Sequence, residues 1–528
     1  MLLPLLLSVP IAPTQDALPR LVVLISVDQM IPAQLERLEH ELDGGLGRLW
    51  REGLVLKQAR LPYAVTETGP GHATMGTGCL PRTHGVTANT FFDRGTWSWR
   101  YCVSDTNVTP VPEGASGGEI SSANLRVPTL GDYLHAHDPR AKVFSVAGKD
   151  RSAACMGGRH AAPALWWDRK LGGFSSSTAY GDVLPTFVTE WNGTWQEQAA
   201  GWTWAWSSEA SPGDLGAAPD QRAGESPFHG QGTTLPYQLA EEGSSLPGQV
   251  FATPLVDRFT LQVAGRALEV LELGADDAPD LMAIGLSACD VVGHGFGPYS
   301  HEVTDVLLRL DDDLGALFDR LDALVGEGRW LAALSADHGV LPLPEHFEGG
   351  RRITREELGE LERVVAEALV ARWPEDTPRA KAYGSAFVLP DEGTFDPREA
   401  RRIVAAAALQ TEWVEAAYTY DQLLGADPAP EQDAHWPSYV AGFDAERCPD
   451  VLLRLVPGAI RSSRGTTHGS PYVYDQLIPL IFLGPGFPAE RRAGAASSAD
   501  IVPTMLGRLG LAAPGLEGGD LLSGSSGR

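Results

Sequence analysis

The sequence predicts an α/β protein: a layered α/β/α core around a mostly parallel sheet, with inserted cap elements. Three observations predict it. Short apolar runs end abruptly at polar residues, most are followed by a stretch of helical periodicity, and two segments of different character interrupt the alternation. Buried parallel strands read as continuous apolar runs because helices cover both faces of their sheet. The 528 residues, 43% hydrophobic, supply one large core with insertions and exclude a small disulfide-stapled fold.

Residues 1–17 are Leu-rich from Met1 to Ala12 and turn polar at Pro13-Thr14-Gln15-Asp16, which predicts a signal peptide and a periplasmic or secreted destination. No later run approaches the roughly 18 apolar residues that cross a bilayer, so no membrane span is expected. The remainder, 18–528, reads as one elaborated domain. Its core runs are Leu21–Val27, ending at Asp28; Val143–Ala147, before Lys149; Leu281–Leu286, before Asp290; Trp330–Leu334, before Asp337; and Leu477–Leu483, ending at Gly484-Pro485-Gly486. Ligands of open α/β sheets gather outside the carboxyl ends of strands, so polar residues far apart in sequence can converge there. About residues 90–250 hold nine of the fourteen tryptophans with little periodicity, and read as a loop-rich elaboration in which tryptophans serve local packing. About residues 340–465 read as a small inserted α+β lobe, with helices Arg355–Arg372 and Pro397–Ala408 and strands Ala382–Val388, Trp413–Tyr418 and Val451–Val456.

A formal charge of −27 repels polyanions, so no nucleic acid duplex is an expected partner and a small molecule is. The five cysteines form no C-x-x-C pair, which argues against a zinc knuckle or a dense disulfide framework. Metal ligands would then be carboxylates and imidazoles. Three segments offer them beside a glycine: Asp290 and His294 as D-x-x-x-H around Gly293, Asp337-His338-Gly339, and His468-Gly469. Asp28 closes the first strand. Any one of these alone reads as a turn former or helix cap, and the other histidines, His72 and His84 among them, read as structural. The constellation reads as a metal site.

Residues 66–78 spell T-E-T-G-P-G-H-A-T-M-G-T-G. Pro70 is tolerated in a first turn and Gly78 marks a stop, so Thr68 falls at a helix N-terminus, where free amides and the dipole favour an anion. By itself such a threonine is a cap. Beside a bound metal ion its hydroxyl becomes a usable nucleophile.

The order Asp28, Thr68 before G-P-G-H, Asn89 in His84-Gly85-Val86-Thr87-Ala88-Asn89, D-x-x-x-H, A-D-H-G and T-x-H-G resembles the alkaline phosphatase superfamily. The match is to the branch with a threonine nucleophile, which holds nucleotide pyrophosphatases/phosphodiesterases and phosphate-irrepressible alkaline phosphatases, and it runs from about Leu21 to Leu509. The resemblance implies an alkaline phosphatase-like fold and two Zn2+, although other divalent ions suit the same ligands. Asp290, His294 and His468 would hold one ion; Asp28, Asp337, His338 and Thr68 would hold the other. Thr68 would be the catalytic nucleophile, forming a phosphothreonine that water then releases, while the Gly69 amide and Asn89 side chain hold phosphoryl oxygens. Lys149-Asp150-Arg151 is similar to the K-x-R pair of the monoesterases, and two cations favour a phosphomonoester dianion. The implied activity is an alkaline phosphatase-type hydrolase of small phosphate monoesters. The alternative is a phosphodiesterase or nucleotide pyrophosphatase on the same two-metal site. A sulfatase fails because Cys79-Leu80-Pro81-Arg82-Thr83 has Thr83 where Arg is required, and a phosphoglycerate-mutase-like enzyme would carry Ser in place of Thr68.

Overall fold

The computed structural model describes residues 18–390, 393–512 and 514–523, so the signal peptide expected over 1–17 lies outside the described residues. Ten strands build the central sheet: β1 (Leu21–Val27), β2 (Leu54–Ala59), β3 (Pro110–Val111), β4 (Val143–Ala147), β5 (Ala161–Trp167), β6 (Phe174–Ser177), β7 (Asp280–Leu286), β8 (Trp330–Ser335), β9 (Leu480–Leu483) and β10 (Glu490–Ala496). Their order is β10-β2-β9-β8-β1-β7-β4-β5-β6-β3. The contiguous run β8-β1-β7-β4-β5 is parallel. Only β9 and β6 run against the rest. Every residue of β1, β7 and β8 is buried, as strands covered on both faces must be. Helices α1 (Thr68–Thr77), α2 (Asp150–Gly157), α3 (Leu255–Val270), α4 (Ala288–Phe296) and α5 (His301–Leu321) belong to this core. Register pairs Val27 with Leu286, Ser26 with Ser335 and Gly285 with Ala147, so the carboxyl ends of β1, β4, β7 and β8 stand level at one edge.

The last apolar run differs from expectation. Its strand begins at Leu480 rather than Leu477 and is antiparallel to β8. Pro479 has no N–H to give a ladder, and its carbonyl accepts the Ser335 hydroxyl at 2.7 Å. Reversal puts the start of β9, and the segment before it, at the same edge as the strand ends above. The Trp-rich stretch also contributes more than loops: Trp166 and Trp167 lie in β5, whose Ala-Ala-Pro start hides a strand from propensity. Its tryptophans do pack locally, Trp167 edge-on against Trp195 at 5.2 Å, and Trp204 Nε1 donates to Asp305 on α5 at 2.7 Å.

In the 340–465 stretch both helices have the expected bounds. The expected strand Ala382–Val388 is instead a hairpin, Lys381–Tyr383 and Ala386–Val388, turned at Gly384 with φ 56°. It continues through Val451–Leu455 to Val414–Thr419 in a four-stranded antiparallel sheet over its own apolar cluster, which includes Leu361, Val365, Phe387 and Val404. All five cysteines are buried and unpaired. No helix among the described residues is long and apolar enough to cross a membrane.

Candidate active site

Asp28 follows β1, Asp290 lies in the first turn of α4 after β7, and Asp337-His338 follow β8, so neighbouring parallel strands deliver these residues to one edge. His294 stands one helical turn beyond Asp290, on the same face, with Nε2 3.2 Å from Asp290 Oδ1. His468, from the segment before β9, reaches to 3.7 Å from the same oxygen. Ligand atoms of Asp290, His294 and His468 lie within 4.8 Å of one another. So do those of Asp28, Asp290 and His338, and those of Asp28, His72 and Asp337. His338 Nε2 is 3.4 Å from both Asp28 Oδ1 and Asp337 Oδ2. The two expected ligand sets therefore share one space, with Asp28 between them.

His72, read as structural, stands inside this group. Its Nδ1 is 2.9 Å from Thr68 O and 3.2 Å from Asp337 Oδ2. Its spacing of four from Thr68 on one helical face was the available signal. Gln29 also went unread. It holds a left-handed φ of 69°, its amide donates to Asp337 Oδ1 at 3.1 Å, and its Nε2 donates to Asp290 Oδ1 at 2.7 Å. Two of the glycines beside the ligands admit close packing of protein: a Cβ on Gly293 would lie 2.1 Å from Gln29 Oε1, and one on Gly339 2.3 Å from Tyr474 O.

The donor set fits divalent cations. His294, His338 and His468 each set Nδ1 against a main-chain carbonyl, at 2.8, 3.0 and 2.7 Å. A carbonyl only accepts, so Nδ1 carries the proton and Nε2 presents a lone pair. Those lone pairs face carboxylates, of which Asp28 Oδ1 is buried without a hydrogen-bond partner. Buried acceptors facing acceptors need a cation between them. With oxygen and nitrogen donors and no thiolate, Zn2+ or another divalent ion suits the set.

Thr68 is the first residue of α1. Glu67 is its N-cap in extended conformation and makes no side-chain cap. Instead Glu67 Oε2 accepts the Asn89 amide at 2.6 Å, and Asn89 Oδ1 accepts the Gly69 amide at 2.7 Å. The Gly69 N–H, expected to face substrate, is thus spent on Asn89, and this fixes the Asn89 side chain so that its Nδ2 remains as the donor. Glu67 was not singled out in the sequence. Thr68 is buried, and its Oγ1 lies 3.2 Å from Arg151 Nη2 and 3.5 Å from His338 Nε2. Arg151 enters with α2, at the end of β4, and also donates to Tyr101 OH at 3.3 Å. Lys149 differs from the expected open cation: its Nζ donates to Asp28 Oδ2 and Asp290 Oδ2, both at 2.5 Å, tying the two ligand groups together.

Burial, then repulsion from Asp290 and Asp337, raises Asp28 well above the ordinary carboxylate range. Asp290 goes the other way: burial opposes its charge, but His294 and Lys149 hold it well below that range. Burial lowers His338 and, further, His468, which keeps their lone pairs free near neutral pH. Lys149 is raised despite burial because Asp28 and Asp290 face it, so it stays charged.

A mostly parallel sheet with these ligands at its strand ends, beside a hydroxyl on a helix N-terminus, defines an alkaline phosphatase-like protein. Alkaline phosphatase PafA, in its crystal structure, is similar with a TM-score of 0.84 and 28% identity over 94% of this chain and 96% of that one. The chain belongs to the type I phosphodiesterase / nucleotide pyrophosphatase family, whose model matches residues 22–457. It is 30% identical to alkaline phosphatase PhoV of Synechococcus elongatus over 95% of this chain and 92% of that one. Against alkaline phosphatase PhoK of a Sphingomonas species it is 32% identical over 94% and 89%.

Proposed function

We propose that this protein is a metal-dependent phosphomonoester hydrolase of alkaline phosphatase type, with Thr68 as nucleophile. The observation that carries the reading is the position of Thr68 Oγ1, at a helix N-terminus, 3.2 Å from Arg151 Nη2 and bordered by the carboxylate–imidazole group. Relatives named as alkaline phosphatases over nearly the whole chain support it.

Arg151 and Asn89 Nδ2 would hold nonbridging oxygens of the phosphoryl group and set phosphorus in line with Thr68 Oγ1. Attack by Oγ1, which gives up its proton, forms the Thr68–phosphorus bond and breaks the phosphorus–ester oxygen bond, and the departing oxygen takes up a proton to leave as the alcohol. Water then attacks phosphorus, Oγ1 leaves, and inorganic phosphate is released. When bound, two divalent ions, held by Asp290, His294 and His468 and by Asp28, Asp337, His338 and Thr68, supply Lewis acidity that offsets charge on the entering and leaving oxygens. Lys149 keeps Asp28 and Asp290 in register. The reading extends to export from the cytoplasm, on the Leu-rich residues 2–7 and the polar turn after them.

The test compares phenyl phosphate with methyl phenyl phosphate. The monoester should be favoured by about two orders of magnitude in kcat/KM, because the Arg151 guanidinium and the bound divalent ions would face a dianion rather than a monoanion. Chelation should abolish activity and zinc restore it. Arg151→Ala should cost the monoester more than the diester. A preference for the diester, unaltered in Arg151→Ala, would move the assignment to a phosphodiesterase.

A further inference from the structure

A cavity of about 370 Å3 lies between the sheet edge and the inserted segment. It is bordered by Glu67 and His468 from the site and by Ser385, Arg454, Arg461 and Tyr472 beyond it. Thr68 does not line it. That volume is in the range of small-molecule sites, roughly 300–1,000 Å3. In an in-line displacement the leaving oxygen points away from the attacking one, and His468 is the metal-ligand candidate that borders this space.

The two arginines differ. Arg454 is engaged by Glu415 and Asp433, each at 3.4 Å. Arg461 makes no ion pair among the described residues. Its one hydrogen bond runs from Nη2 to Ser385 Oγ at 3.0 Å, and burial without a facing carboxylate pulls its guanidinium below its ordinary pKa. In a chain of charge −27, an unneutralised guanidinium in a cavity is conspicuous chemistry. The acidic groups of the cavity are already engaged: Glu67 by the Asn89 amide, and Asp475 by the amide and hydroxyl of Ser470.

We propose that this cavity receives the alcohol part of the phosphoester and that Arg461 recognises an oxyanion carried on that alcohol. The inference rests on the phosphatase reading and names its substrate class: phosphomonoesters whose leaving alcohol bears a carboxylate or a second phosphate. An arginine presents parallel N–H donors that match either group.

The test titrates the zinc-loaded protein by calorimetry with benzylphosphonate, 4-carboxybenzylphosphonate and p-xylylenebisphosphonate, none of which can be hydrolysed. At least one para-substituted ligand should bind about tenfold tighter than benzylphosphonate, and which one does so separates carboxylate from phosphate recognition. Arg461→Gln should collapse that ratio toward one, and Arg461→Lys, which keeps the charge but loses the parallel donors, should retain only part of it. The same ratio should appear in KM for the corresponding aryl phosphates. Equal affinities in the wild type, a ratio unchanged in Arg461→Gln, or no binding of any of the three overturns the proposal. Failure of the phosphatase reading itself shows separately, as no turnover of phenyl phosphate.

Discussion

Gly71→Ala tests whether α1 and the β8 end are packed as tightly as the site requires. An ideal Cβ on Gly71 would lie 2.2 Å from the Asp337 carbonyl oxygen, 2.7 Å from its carbonyl carbon and 2.6 Å from its Cβ. Two of these are backbone atoms, so no rotamer change relieves them. Ordinary contact begins at 3.4 Å, and the helix must therefore separate from Asp337 by roughly 1 Å. Two effects on stability compete: alanine gains up to about 1 kcal/mol in helix propensity, while overpacking costs about 1–3 kcal/mol. The net loss of stability should be small. Function has no such compensation, because Thr68 rides on α1 and Asp337 is a ligand candidate, and a 1 Å misplacement costs about 100-fold in rate. We expect kcat on phenyl phosphate at saturating zinc to fall about 100-fold while the urea midpoint shifts little. Gly359→Ala, on an exposed helix with nothing within 4 Å of the new Cβ, is the control and should leave kcat alone. A Gly71→Ala enzyme within threefold of wild type in both kcat and zinc affinity would refute the packing argument.

Thr68→Ala should keep its zinc, since the carboxylates and imidazoles remain, yet lose at least about 1,000-fold in kcat; metal analysis beside steady-state rates checks it, and a metal-free variant would show the loss to be indirect. Glu302, buried and bonded by Tyr237 OH at 2.7 Å, has its carboxyl pushed up to about 8, by burial first and then by Asp220 and Glu225. A pKa above the unfolded value means stability that is complete below about pH 4.5 and lost as pH rises through 8. Wild type relative to Glu302→Gln should therefore lose a few kcal/mol between pH 5 and pH 9, read from urea midpoints, and parallel pH profiles would reject it.

The strand ends were legible because a parallel sheet reveals itself twice, as apolar runs and, for three of the five, as an acid at or just beyond the end of the run. Asp28, Asp290 and Asp337 all sit where that logic puts them. What the sequence hid was local. Lys149 looks like an open cation in a linear motif, and only the level register of β1, β4 and β7 shows that its Nζ falls between two carboxylates. Glu67 precedes Thr68 by one residue and carries no signal, because its partner is a main-chain amide twenty-two residues on. Trp166 and Trp167 read as loop because a strand beginning Ala-Ala-Pro has neither β-branching nor alternation.

Charge balance at the site bears on the choice between ester classes. With the carboxylates ionised, as bound divalent ions would hold them, Asp28, Asp290, Asp337 and Glu67 face Lys149 and Arg151, an excess of two negative charges; Asp150, 3.9 Å from Arg151, is partly exposed and screened by water. Two divalent ions would turn that into an excess of two positive charges. A monoester dianion cancels it; a diester monoanion cancels half, leaving a net charge in a buried site, where uncompensated charge is costly. Arg151 is the one member of this balance that touches Thr68 Oγ1 rather than a ligand carboxylate. Removing its charge should therefore bring the balance to neutrality with a diester and narrow the monoester preference from the substrate side, whereas loss of Lys149 would disturb the ligands and both ester classes together.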